Sequence, residues 1–164
     1  MRQIGKGAFT TAYLKSKNTV LLKSSDPVKE CMAHGWFPKS HNFPKVSFYK
    51  HTNDYVMKYY PKKKSLKKSL KPSEWQFYKE LQKLFNSVQY HYGYNIAFLI
   101  RQIKIHISKP HKRRILLEAI DALRNYGEDI RFEISPRNVA VSPTGNLVLL
   151  DVFFFAHKLR ESRL

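Results

Sequence analysis

Three clusters in this 164-residue chain carry residue types suited to handling phosphate. The first is Ile4-Gly5-Lys6-Gly7-Ala8-Phe9-Thr10-Thr11-Ala12-Tyr13. Glycines two apart let a backbone turn approach phosphate oxygens, because no Cβ intervenes and positive φ is open to them. Phe9 can fold beneath such a turn. The same spacing also makes an ordinary hairpin. Thr10 stands where a third glycine would be, and a strand rather than a helix is expected next, which argues against a Rossmann or P-loop cradle. The second cluster is Lys23, closing the apolar run Val20-Leu21-Leu22, with Glu30 one turn into the following helix. Lys23 can reach a cleft and pair with phosphates, with Glu30 holding it; each also reads as an exposed charge. The third runs Phe132-Glu133-Ile134-Ser135-Pro136-Arg137-Asn138, then a hairpin, then Leu149-Leu150-Asp151-Val152-Phe153. A tight hairpin returns Asp151 beside Asn138, and an amide oxygen with a carboxylate is a Mg²⁺ ligand set by type. Glu133 can accept a hydroxyl proton.

The elements that must position these groups follow from pattern. Thr11–Leu14 and Thr19–Lys23 read as strands around a Lys15–Asn18 turn. Asp26-Pro27 starts a helix that Gly35 ends, Asp as N-cap and Pro at the first helical position. Lys45–Tyr49 and Asp54–Tyr60 bracket a turn at Lys50–Asn53 and form a second hairpin. Pro61–Pro72, with six lysines in twelve residues, reads as a solvated connection. Ser73 and Gln76 form a capping-box pair ahead of Trp75, Tyr78, Leu81, Leu84, Phe85 and Val88 at helical spacing. Another helix covers Lys112–Tyr126, with Gly127 as its stop. Val139–Val141 and Leu147–Leu150 flank the turn residues Ser142–Asn146. The expected class is α+β.

Composition narrows the setting. Hydrophobic residues make up 43% and aromatic residues 14%, which excludes a compositionally disordered chain. Cys31 is the one cysteine, so no internal disulfide forms. The run Asn95–Ile100 is too short to span a bilayer, and the first residues lack the apolar core of a secretion signal, so a cytoplasmic protein is expected. A formal charge of +18 favours acidic proteins or nucleic acid as partners. Lys62–Lys71 and His111–Arg114 are the candidate contacts, although a charged linker also serves merely to stay solvated. Tyr90, Tyr92 and Tyr94 either stack on bases or pack between helices. The seven histidines show no zinc spacing.

The order of these motifs over 4–60 and 112–155 resembles that of the eukaryotic-type protein kinases. Among them it looks closest to the small, early-expressed Ser/Thr kinases of lytic bacteriophages. The resemblance implies a minimal bilobal protein-kinase-like fold: a small antiparallel sheet lobe over 1–60, the lysine-rich connection 61–72, and a truncated helical lobe over 73–164. It implies ATP and Mg²⁺ as cofactors. Gly5, Lys6, Gly7, Ala8, Phe9 and Ala12 would cover the nucleotide, and Lys23, paired with Glu30, would grip its phosphates. Met57 would be the gatekeeper, with Lys58, Tyr59 and Tyr60 facing the adenine through their backbone. Asn138 and Asp151 would hold the metal, and Glu133 would orient or deprotonate a Ser or Thr acceptor. If phage-encoded, the protein would act on host proteins in the host cytoplasm.

The chain departs from the family pattern at several positions. Glu133 replaces its catalytic aspartate, Phe132 the arginine before it, Ser135 the loop lysine and Phe153 the triplet's glycine. Too little chain follows Asp151 for an activation segment. An alternative is therefore a kinase-shaped protein with weak or no turnover, which binds and inhibits a nucleic acid or an acidic host enzyme. A small-molecule phosphotransferase is a third reading.

Overall fold

The computed structural model describes residues 1–163 as a mixed α+β protein. Strands β1 (Arg2–Lys6), β2 (Thr10–Ser16), β3 (Thr19–Ser24), β4 (Ser47–Phe48) and β5 (Tyr55–Lys58) make an antiparallel sheet in the order β1-β2-β3-β5-β4. The β1–β2 turn is the glycine segment, closed by the Gly7 amide donating to the Thr10 carbonyl at 2.8 Å. Helix α1 (Pro27–Ala33) leaves β3 as the sequence predicts: the Asp26 carboxylate accepts from the Val28 amide at 2.9 Å, and Pro27 occupies the first turn. Gly35 follows at φ +79°, a left-handed conformation that only glycine adopts without strain.

Beyond the sheet come α2 (Leu66–Ser69), α3 (Pro72–Val88), α4 (Ile96–His106) and α5 (Pro110–Leu123), the last running into one 3₁₀ turn. Strand β6 (Ile130–Phe132) pairs with β9 (Phe153–Phe155), and β7 (Val139–Val141) with β8 (Leu147–Leu149), before α6 (Ala156–Ser162). Val20 and Leu22 of β3, the apolar face of α1, and the inner faces of α3 to α5 join one continuous core that reaches Phe155. Helices α1, α3, α4 and α5 each bury a stripe at 3–4 spacing, as burial of an amphipathic face requires. In α3 that stripe is Phe77, Tyr78, Leu81, Leu84 and Val88.

Four expectations change. The Ser73–Gln76 capping box does not form, because Pro72 already occupies the first turn and places Ser73 inside the helix. Trp75 and Phe85 are only partly buried. The lysine-rich connection is not purely extended: Ser65 caps α2, and Leu70 turns into the core with its lysine neighbours in solvent. Residues 96–100, weighed only as a bilayer span, begin α4, capped by the Asn95 side chain accepting from the Phe98 amide at 2.8 Å. No described helix is long and apolar enough to cross a membrane.

Candidate active site

A cleft of about 750 Å³ lies beneath the β1–β2 turn. Gly5, Lys6, Gly7, Ala8, Phe9 and Ala12 line one wall. Tyr59 and Tyr60, just past β5, also line the cleft, as do Glu133, Asn138 and Asp151. Local backbone bonds explain that convergence. The Asn138 carbonyl accepts from both the Leu150 amide at 2.9 Å and the Asp151 amide at 3.2 Å, so the two ends of the β7–β8 hairpin are clipped together. The Glu133 amide donates to the Val152 carbonyl at 2.9 Å, fixing the start of the 133–138 loop against the residue that follows Asp151.

The Asp151 side chain is half exposed, and Asn138 is partly buried. Together they offer hard oxygen donors of the kind Mg²⁺ selects, and Mg²⁺ ordinarily completes its octahedron with water and substrate phosphate. The donor set therefore fits that ion. Among the described residues no cluster of three acidic, histidine or cysteine side chains forms an all-protein metal cage. Lys6, Lys62, Lys63, Arg137 and Arg163 line the cleft against Glu133 and Asp151, so its field favours a polyanion.

Lys23 is not brought to this cleft. Register pairs Ala12 with Leu22 and Thr11 with Lys23. Opposed residues share a face and successive ones alternate, so Lys23 lies on the face opposite Ala12. Its side chain is exposed, with Nζ 5.8 Å from the Tyr13 ring centroid. No Lys23–Glu30 ion pair forms among the described residues: Glu30 faces Tyr126, whose phenol is held above its ordinary range by burial and by the Glu30 carboxylate. Met57 packs against the core and Lys58 lies near the Tyr60 ring, so neither side chain lines the cleft.

Two residues stand behind Asp151: Lys29, which the sequence reading does not single out, and Asp26, which it reads only as a helix cap. Lys29 is 5% exposed; its Nζ donates to the Leu150 carbonyl at 2.7 Å and lies 4.0 Å from Asp151 Oδ1. Asp26 is 3% exposed, and its Oδ2 has no hydrogen-bond partner among the described residues. Burial lifts the Asp26 carboxyl from its ordinary 3.8 to about 6, with Lys29 opposing the rise and Asp151 adding to it. The helical spacing held a signal for Lys29, since α1 buries it beside Val28, Cys31 and Met32 on a single inward stripe. A second hollow, about 620 Å³ between α4 and α5, opens broadly to solvent and gathers none of these groups.

Fold and site thus define an α+β protein with a glycine-roofed cleft lined by Asn138, Asp151 and Glu133. No protein-family model matches the chain, and no curated protein matches it.

Proposed function

We propose that the chain is a minimal, bilobal protein-kinase-like phosphotransferase, using Mg-ATP and acting on Ser or Thr of acidic proteins, similar to small bacteriophage kinases. The observation that carries this reading is a single cleft lined by the glycine turn, Tyr59 and Tyr60, and the Glu133, Asn138 and Asp151 group. A nucleotide there would place its base against the tyrosines and its phosphates beneath the Gly5–Gly7 backbone. Asn138 and Asp151 would hold Mg²⁺, which supplies charge neutralisation when bound. Glu133 would accept the proton of the acceptor hydroxyl, its extra methylene extending it further than an aspartate. The remaining work is positioning, done by the hairpin clip that fixes Asn138 beside Asp151. The basic cleft rim and the charge of +18 would draw acidic acceptors. The outward Lys23 and Ser135 favour a second reading, a nucleotide-binding protein without turnover that captures an acidic partner or nucleic acid.

Thermal unfolding separates these possibilities. Ligand at about 100 times its Kd contributes roughly 2.7 kcal/mol. That corresponds to a rise in Tm of roughly 5–10 °C for a domain of this size. Mg-ATP is expected to produce such a rise, and Asp151→Ala to remove it. Transfer of labelled phosphate to lysate proteins would distinguish turnover from binding alone. No rise with Mg-ATP would remove both readings of the cleft.

A further inference from the structure

Strand alternation turns Lys23 away from the cleft, so a nucleotide bound there would meet no cation from β3. The inward positions nearest to Lys23 are Leu22 and Ser24. Leu22 is buried in the core, and the Ser24 hydroxyl is 2.6 Å from that of Thr10. We infer that Lys29 of α1 takes that role, as the cation that meets the phosphates of a nucleotide bound against Asp151; this rests on the nucleotide reading of the cleft.

The position of Lys29 carries the inference. Leu150 and Asp151 both line the cleft, and Lys29 Nζ sits 2.7 Å from the carbonyl of one and 4.0 Å from the carboxylate of the other. Its ammonium group therefore stands directly behind the cleft floor, arriving from the helix side rather than from the sheet. An ammonium has three donors, and only the bond to Leu150 is made among the described residues. Asp151 lies just beyond hydrogen-bond distance. A buried cation left with spare donors is costly, and a phosphate oxygen reaching the Asp151 side of the cleft would satisfy one of them. Asp26 supplies a second sign of an unfinished cluster, because its Oδ2 is buried and unpartnered on the same turn of α1. By contrast, Lys6 and Arg137 line the cleft from exposed positions, where water weakens each contact.

The test compares ATP, ADP and adenosine binding, each with Mg²⁺, by calorimetry on the full chain. Lys29→Met is expected to weaken ATP and ADP at least tenfold while leaving adenosine within twofold. Lys23→Met should leave all three within twofold, and Lys29→Arg should restore part of the ATP affinity. Equal losses for adenosine and ATP would assign Lys29 a packing role and overturn the inference, as would unchanged ATP binding. Should Lys29→Met unfold, the double variant Asp26→Asn with Lys29→Met removes the uncompensated carboxylate and is read by the same criteria. A wild-type chain that binds no Mg-ATP removes the proposed function and this inference together. ATP binding that survives in the lysine variant removes the inference alone.

Discussion

Lys112→Met is expected to lower unfolding free energy by about 3–5 kcal/mol, the usual cost of stranding one partner of a buried ion pair. Lys112 and Glu74 are 4% and 2% exposed. The Lys112 ammonium donates to Glu74 Oε2 at 2.9 Å and to Asn42 Oδ1 at 2.5 Å, and stands over the Phe77 ring at 4.8 Å. Glu74 Oε1 accepts from the Asn42 side chain at 3.1 Å and lies 2.9 Å from His41 Nε2. Asn42 closes the network on β8, donating to the Leu147 carbonyl and accepting from the Leu149 amide. Without Lys112, the Glu74 carboxylate is left buried with only Asn42 and His41.

Replacing both Glu74 and Lys112 with leucine should cost far less than the two single changes summed, because neither charge is then stranded. Denaturant titration of the singles and the double measures this directly. A loss under 1 kcal/mol for Lys112→Met would show that the pair is not holding α3, α5 and β8 together. The pair also fixes an acid limb. Burial pulls the Glu74 carboxyl upward, yet the hydrogen bond and charge of Lys112, with help from Asn42 and His41, leave it below its ordinary 4.5. A lowered folded-state value means that the stabilisation is present above about pH 4.5 and is lost as pH falls through the folded value.

The hairpins and α1 were legible because their signals are local: alternating strands broken by turn residues, and an Asp-Pro cap. The convergence of Asn138 and Asp151 was legible for the same reason, since a five-residue turn at 142–146 returns β8 beside β7. What could not be read depends on partners far away in sequence. Whether Lys23 or Ser24 faces the cleft is set by β2, where Ala12 meets Leu22, and a shift of one residue would reverse every side chain. Glu74 and Lys112 lie 38 residues apart on different helices. Each alone looks like an ordinary exposed helical charge. Helix α4 was hidden differently: Ile96, Leu99 and Ile103 carry its buried stripe inside an otherwise apolar run, so their periodicity was masked.

Asp26→Asn is expected to stabilise the protein above pH 6 by roughly 2–3 kcal/mol, at about 1.4 kcal/mol per unit of displaced pKa. Asp26 sits at about 6 in the fold against an ordinary 3.8, chiefly because burial disfavours its charge. The sign follows from linkage. The folded state holds this proton more tightly than the unfolded chain, so stability falls as pH rises from 3.8 to about 6 and stays lower beyond. Asparagine keeps the oxygen that caps Val28 and removes the charge. The difference between variant and wild type should therefore be close to zero near pH 3.8 and reach its full value by pH 7. Taking that difference at each pH cancels the opposite trend from Glu74, which acts equally in both proteins. Equal unfolding midpoints for the two proteins at pH 7.5 would mean that Asp26 is solvated or paired. The carboxylate behind Asp151 would then impose no cost on the fold, and the cluster around Lys29 would lose its unfinished partner.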